Sequence, residues 1–528
     1  MTKRLTIVAY AVNGSGLGHL TRVVAILRWV RRLGRLAGIH PDIYILTSSE
    51  ACGLALNEGF ATFKIPSKTA IREAQIPKED YLRLARQWVW HSLGLLKPDI
   101  LLVDTFPGGS FGELLYALDI TGAKVFVNRA MKTEFQENIQ PLLSYYDRIL
   151  VPQEVGTEQI AFPTQIMPKV RYLGPIMLRE RVELRDKARA SQRLGIPTGK
   201  LAVWITAGGG GDPTASIGLE KLVEKLKQNQ ELHLVIGAGP LYRGDPLRGL
   251  NITWVTDFNV SEDYLAIDFA FSAAGYNSFY ELLHSGIPTA FFAQEKIADE
   301  QARRIQSAVA ANCVLKLETN TQGLPDEESL TKVLAQLLDK SERERLSNAA
   351  KAFVSQNFAQ EAGLETLATK LPKATLAQAQ ELGTPEFFHK INQYQLDLEL
   401  AYEILPTLGS QEFLDADERQ ELFYQLFETS KLSAELTAKL YLLISQKLAR
   451  PTNDLEAEEL IAASVTIINE LGKFSDERGA MSFLRLLPNE RQSQPQKIAQ
   501  ELAQFLSKLS ETGDSLWRAM ALFNQNNK

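Results

Sequence analysis

The sequence predicts an α/β protein: two doubly wound parallel-sheet domains facing a shared cleft, followed by an all-helical module. Three observations carry this. Residues 1–380 contain 29 of the 34 glycines. Two separate series of short, wholly apolar segments alternate with helical stretches, the pattern of parallel strands covered on both faces. The charge also changes near residue 380: residues 381–528 hold 23 acidic and 14 basic side chains, net −9, leaving the first 380 at +3 of a total of −6.

The first series opens with LTIVAYAV, followed by GSGLG and a helix from about Leu20 to Leu36. IYILTS, PDILLVDTF, AKVFVNR and YDRILVP follow, each an apolar run ending in a polar or glycine-containing loop. The stretch Tyr172–Ile196 joins the two series and contains LGPIMLR and a predicted charged helix, RERVELRDKARASQRLG. LAVWITAG, LHLVIGAG, ITWVTDF, FAFSAAG and PTAFFAQ form the second series. Domains are therefore expected at residues 1–178, 179–375 and 381–528. The last shows five segments with apolar residues at helical spacing and no strand series. It is either a solvated helical module or one that binds a protein partner or positions the acceptor.

Composition narrows the function classes. The chain has 528 residues, 45% hydrophobic and 23% charged, an ordinary globular balance. Cys52 and Cys313 are too few for a disulfide scaffold or a typical structural zinc site. The start MTKRLTIVAY reads as neither signal peptide nor anchor, and no stretch has the roughly 18 apolar residues of a membrane span, so a cytoplasmic protein is expected. A net negative charge argues against a generally nucleic-acid-binding surface.

Chemistry-bearing residues cluster at strand ends, where doubly wound sheets bind ligands. Gly14, Gly16 and Gly18 allow a tight turn and close approach of a ligand to backbone N–H groups, ahead of a helix N-terminus that favours an anion. His19 at the mouth of that loop can exchange a proton near neutral pH. Asp104 ends ILLVD and can orient His19, meet a sugar hydroxyl or cap its own loop. Arg129 ends another strand and could face a phosphate. In the second series Gly208, Gly209, Gly210 and Gly211 form another backbone-lined anion cradle. Gly275 opens a turn into a helix that Asn277 or Ser278 can cap, and Glu281 stands three residues after Ser278, the capping-box spacing. Asp299, Glu300 and Gln301 form a polar cluster after the next strand.

These residues, above all GYNSFYELLHSGIP followed by DEQARRI, resemble the GT-B glycosyltransferases, particularly the group of the bacterial N-acetylglucosaminyltransferase of lipid II synthesis. The likeness spans roughly residues 1–370. It implies two Rossmann-like domains, the first for the acceptor and the second for a nucleotide-sugar. By this resemblance the loop of Gly14, Gly16, Gly18 and His19 lies near the acceptor. Gly208–Gly211 and the Gly275, Asn277, Ser278 element face the donor diphosphate. Glu281 falls on the residue gripping the ribose, Phe258 on the wall beside the uracil, and Gln301 on the reader of the sugar hydroxyls, with Gln294 the alternative because FFAQEKIADEQ is slightly long. GSGLGHLTR lacks the GGH and following proline of the lipid II enzyme.

The expected activity is transfer of a sugar from a nucleoside diphosphate, UDP by the resemblance, to an acceptor hydroxyl, with His19 as base, Asp104 as its orienter or the alternative base, and no metal or other cofactor. Arg179 could meet a phosphate. Arginines interleaved with Trp29, Trp88 and Trp90 suit either a helix packed on its sheet or peripheral contact with an anionic membrane bearing a lipid acceptor. Two alternatives stay open: a sugar-nucleotide epimerase or hydrolase, and a non-catalytic protein acting through its helical module.

Overall fold

A computed structural model describes residues 3–12, 17–129, 133–157, 159–209, 213–294, 299–320 and 324–393. Most of the expected helical module, and Gly14, Gly16, Gly210 and Gly211, lie outside these residues. The chain divides into a compact unit of residues 1–34 and 39–377 and a second of 35–38 and 378–528.

The first unit holds two parallel sheets. In chain order the first is built by β1 (Lys3–Ala11), α1 (Gly18–Leu36), β2 (Ile39–Thr47), α2 (Gly53–Asn57), β3 (Ala61–Lys64), α3 (Lys68–Glu73), α4 (Lys78–Leu96), β4 (Ile100–Asp104), β5 (Ala123–Val127), α5 (Thr133–Ile139), β6 (Arg148–Pro152) and β7 (Val170–Leu173). Its order is β3-β2-β1-β4-β5-β6-β7. Strand alternation sends Val8, Tyr10, Leu101 and Val103 to one face, where they pack with Val89 and Leu93 of α4.

The second sheet follows α6 (Lys187–Arg193) and comprises β8 (Leu201–Thr206), α7 (Pro213–Leu226), β9 (Leu232–Gly237), β10 (Ile252–Val255), β11 (Phe269–Ala273), α8 (Tyr276–Ser285), β12 (Thr289–Phe292), α9 (Gln301–Ala310) and β13 (Leu315–Lys316). The order is β10-β9-β8-β11-β12-β13. Val203 and Ile205 of β8 pack beneath α7 and α10 (Glu327–Leu338), whereas Ala202 and Trp204 point to the opposite core with Phe279 and Tyr280 of α8.

Both sheets reverse strand order once, between β1 and β4 and between β8 and β11, and such switch points open a crevice at the strand C-termini. Two Rossmann-like sheets flanking a cleft are the GT-B architecture. After α11 (Lys340–Phe353), the chain returns to the first sheet through α12 (Ala359–Leu367). Glu365 there pairs with Arg148 at 3.3 Å, and a Cβ on Gly363 would lie 2.8 Å from Trp29 Cβ, so this crossing needs glycine. The described chain ends with α13 (Lys373–Leu382) and α14 (Pro385–Gln393).

Two expectations are corrected. The charged stretch after Arg179 is not one helix: a single 3-10 turn covers Arg181–Glu183, and α6 starts afresh where Asp186 accepts from the Arg189 N–H at 3.0 Å. Nor does α1 present its arginines to a membrane. Arg22, Arg28 and Arg32 are buried with Trp29 inside the first unit. Arg28 and Arg32 reach Glu183 at 2.7 and 2.6 Å. Among the described residues, no helix is long and apolar enough to cross a membrane.

Candidate active site

The switch point of the first sheet sets His19 beside Asp104. β4 ends at Asp104, and α1 begins at Gly18, so a strand end and a helix start deliver the two side chains. His19 Nδ1 lies 2.6 Å from Asp104 Oδ2. A carboxylate there accepts the Nδ1 proton and leaves Nε2 as the basic nitrogen. One helical turn on, Arg22 forks onto the same group, with Nε 2.8 Å from Oδ1 and Nη2 2.9 Å from Oδ2. The Thr105 hydroxyl donates to Oδ2 at 2.8 Å.

Burial by itself would raise the Asp104 pKa, but Arg22 and His19 together hold it well below the carboxylate range. Asp104 is therefore an anion in the fold, bonded to both His19 and Arg22. Burial lowers the His19 pKa; the bond and charge of Asp104 oppose this, and Arg22 and Arg129 add to it. The imidazole is thus neutral at pH 7.

Elements of the second sheet close on this dyad. The Arg22 guanidinium lies over the Tyr276 ring, 5.4 Å from its centroid, and Tyr276 is the first residue of α8. Arg304 of α9 approaches the same ring at 5.7 Å, donates to the Ala274 carbonyl, and grips Glu154 of the first half through Nε at 3.0 Å and Nη2 at 2.5 Å. Asp299 stands 2.9 Å from Arg304 and 3.8 Å from Arg129. Arg129 therefore has a carboxylate close by, in addition to any ligand it could meet.

The donor-side residues fall into place less evenly. Gly208 has φ +102 and open space at its Cβ position, and Gly209 lies against Leu17 of the first glycine-rich loop, a Cβ there falling 3.3 Å from Leu17 Cδ1. Gly239, which sequence reasoning passed over, has φ +80 and backs this loop so closely that a Cβ would sit 2.4 Å from the Gly209 carbonyl carbon. The N-cap of α8 is Gly275, with no side-chain cap bond and nothing within 4 Å of its Cβ position. The capping expected of Asn277 or Ser278, and the Ser278–Glu281 capping box, are not made. The first-turn N–H groups of a ten-residue helix are consequently left without a side-chain acceptor.

Glu281 lies one turn further along α8. Burial pushes its carboxyl up to about 7, against the opposing charge of Arg179 and a bond from the Leu178 backbone. Arg179 itself is committed to Glu58 and Glu262 (2.7 Å), so it ties the crossing segment to both halves where a phosphate contact was expected. The Phe258 ring lies against Gly53, whose Cβ would fall 2.7 Å from Phe258 Cε2. Gln301 is buried, its Oε1 accepting from the Gln294 N–H at 3.0 Å, while Gln294 Nε2 donates to the Ala207 carbonyl at 3.0 Å. Both carboxamides thus tie the chain just past β12 to the start of α9 and to Ala207.

Sequence reasoning missed Arg22 as a site residue, although its i,i+3 spacing from His19 places both on one helix face. It also missed Asn128, fully buried just past β5, whose carboxamide N and O have no hydrogen-bond partner. Arg22 Nη1 and Asn277 Oδ1 are likewise buried without one. Buried polar groups are ordinarily paired, so unsatisfied atoms at these strand ends and at the start of α8 mark polar-ligand ground. Among the described residues, no group of three or more His, Cys, Asp or Glu is placed to hold a metal ion.

Beside the dyad, the first half contains a cavity of about 230 Å³ lined in part by Tyr10, Tyr81, Phe106 and Phe111. Phe106 also contacts His19, ring centroids 5.6 Å apart. Glu113 is buried below, accepting from Tyr10 Oη at 2.5 Å and from the Ser110 and Phe111 N–H groups at 2.8 and 2.9 Å. A Cβ on Gly109 would strike that carboxyl at 2.2 Å, so PGGSFGE needs its glycine to wrap around it.

No protein-family model matches the sequence, and no curated protein matches it. Solved structures similar to the chain include the glycosyltransferase of kitacinnamycin, 16% identical with TM-score 0.47, covering 71% of this chain and 100% of that one. The spinosyn rhamnosyltransferase SpnG with thymidine diphosphate is 16% identical, TM-score 0.45, covering 68% and 96%. The spinosyn forosaminyltransferase SpnP is 12% identical, TM-score 0.48, covering 71% and 100%. Likenesses this remote assign no function.

Proposed function

We propose that the chain is a glycosyltransferase that moves a hexosyl group from a nucleoside diphosphate, UDP being the first candidate, to an acceptor hydroxyl. The observation that carries the reading is the His19–Asp104 pair one cation–π contact away from the uncapped N-terminus of α8. A base and an anion-stabilising helix end, brought together from opposite sheets, are the two parts a sugar transfer needs.

In this mechanism His19 Nε2 takes the acceptor O–H proton as the oxygen attacks the anomeric carbon, with Asp104 holding the Nδ1–H tautomer. The anomeric carbon–oxygen bond breaks and the nucleoside diphosphate leaves with the electron pair. Its growing charge is met by the first-turn N–H groups of α8 and by the backbone around Gly208 and Gly209. Gly275, which has no Cβ, lets the diphosphate approach that helix end. Glu281 takes the ribose hydroxyls in this reading and Phe258 lies along the base. Gln301, or Gln294 bonded to it, contacts the sugar hydroxyls in this reading.

The test is nucleotide release from UDP-sugars with and without acceptor alcohols. Acceptor-dependent release supports the transferase. Acceptor-free turnover replaces it with a hydrolase or epimerase, and binding without turnover leaves a non-catalytic protein.

A further inference from the structure

The cavity beside His19 has a shape and lining that name an acceptor class. Tyr10, Tyr81, Phe106 and Phe111 present four rings to one cavity. Three of these are fixed by their own contacts: Tyr10 Oη donates to Glu113, Tyr81 Oη donates to the Pro66 carbonyl at 2.8 Å, and Phe111 meets Tyr81 edge-on at 5.9 Å. A rigid set of rings favours a flat aromatic guest, because offset and edge-to-face ring pairs gain stabilisation beyond burial that an aliphatic chain does not.

Size points the same way. An apolar cavity of about 150 Å³ takes one benzene ring, so about 230 Å³ has room for a substituted ring or a fused pair. The rest of the lining mixes Val12 and Ile65 with the hydroxyls of Ser48, Thr69 and Ser110 and the Lys68 ammonium, which stands 5.2 Å from the Phe111 centroid and donates to the Ser110 carbonyl. Hydroxyls and an ammonium set among the rings suit a ring that carries polar substituents. Phe106 lines the cavity and its ring centroid stands 5.6 Å from that of His19, which puts the cavity one ring away from the proposed base.

We infer that the cavity binds a small aromatic hydroxyl compound of one or two rings as the acceptor. This rests on the transferase reading for the word acceptor, whereas occupancy of the cavity can be measured without it. A weakly basic, neutral His19 is also well matched to a phenolic hydroxyl, which gives up its proton more readily than an aliphatic alcohol.

The experiment measures binding of 4-methylumbelliferone and of farnesol to the full chain by ligand-observed NMR, without nucleotide-sugar. The wild type is compared with Thr69→Trp, which fills the cavity, and with Ser110→Trp, a second obstruction that keeps the test usable if the first variant fails to fold. The inference expects 4-methylumbelliferone to bind at least tenfold tighter than farnesol and to lose at least tenfold in a folded variant. Equal binding in wild type and folded variants, or tighter binding of farnesol, overturns it. Nucleotide release from a UDP-sugar is then assayed separately with 4-methylumbelliferone. Cavity binding with no release overturns the transferase reading and leaves the cavity's ligand class standing.

Discussion

His19 Nδ1 and Asp104 Oδ2 stand 2.6 Å apart, and both oxygens of that carboxylate are also held by Arg22. Burial sets the His19 pKa below the ordinary 6.5, the Asp104 bond opposing this and the charge of Arg22 adding to it, so the proposed base is a neutral imidazole. A base that works unprotonated loses activity as it is protonated, so the acid limb of kcat lies below pH 6.5. Arg22→Gln removes a positive charge that lowers His19, so it moves the acid limb upward as well as reducing kcat. A purely structural arginine would reduce kcat without moving the limb. Steady-state pH profiles of wild type and variant make the comparison.

Glu281 supplies a second pH signature. Its carboxyl, pushed up to about 7 by burial, is protonated in acid and charged in base. If it accepts the ribose hydroxyls, UDP affinity rises between pH 6 and 8, and Glu281→Gln flattens that dependence while weakening binding by about tenfold, the equivalent of one charge-assisted hydrogen bond. Calorimetric titration of UDP at several pH values measures both. A wild-type affinity that does not change with pH contradicts the ribose assignment.

His284 tests the fold itself. It is buried at the end of α8, with Nδ1 3.2 Å from the Val354 carbonyl, and burial with the nearby charge of Arg181 lowers its pKa to about 4. The unfolded chain binds this proton near 6.5, so stability falls as pH drops from 6.5 toward 4, by about 3 kcal/mol at about 1.4 kcal/mol per unit. His284→Gln removes this component. Urea unfolding at pH 7 and pH 4.5 checks it, the variant losing less stability across that interval than wild type.

Arg304, almost fully buried, joins its own half to the first sheet's half through Glu154, with Asp299 of its own half also paired to it. Truncating one member of such a cluster leaves buried charge uncompensated, so Arg304→Ala costs about 3–5 kcal/mol. Glu154→Ala leaves Arg304 with Asp299 still beside it and costs less. Thermal denaturation of the two variants gives the order.

Strands whose side chains are buried on both faces announced themselves as continuous apolar runs, which is why β1, β4, β8 and β11, and with them both switch points, were legible. β3 (ATFK), β7 (VRYL) and the two-residue β13 were not, because edge or near-edge strands are short and carry charge. His19 and Asp104 were readable as strand-end residues. Arg22 was not, because an arginine in an apolar helix resembles a membrane-surface pattern until its carboxylate, 82 residues away, is found. The Ser278–Glu281 spacing matched a capping box, but the helix begins at Tyr276, which places Ser278 inside the first turn. Gln301 was recognised as polar and part of the cluster, whereas its bond to Gln294, itself bonded to Ala207, has no signature in the sequence.

The most direct test of the central claim is acceptor-dependent nucleotide release by His19→Ala, measured beside its UDP affinity. General-base catalysis contributes about 10²–10⁴ in rate. The account predicts a kcat lowered by at least a hundredfold with UDP affinity within threefold of wild type. A variant that turns over at the wild-type rate contradicts it.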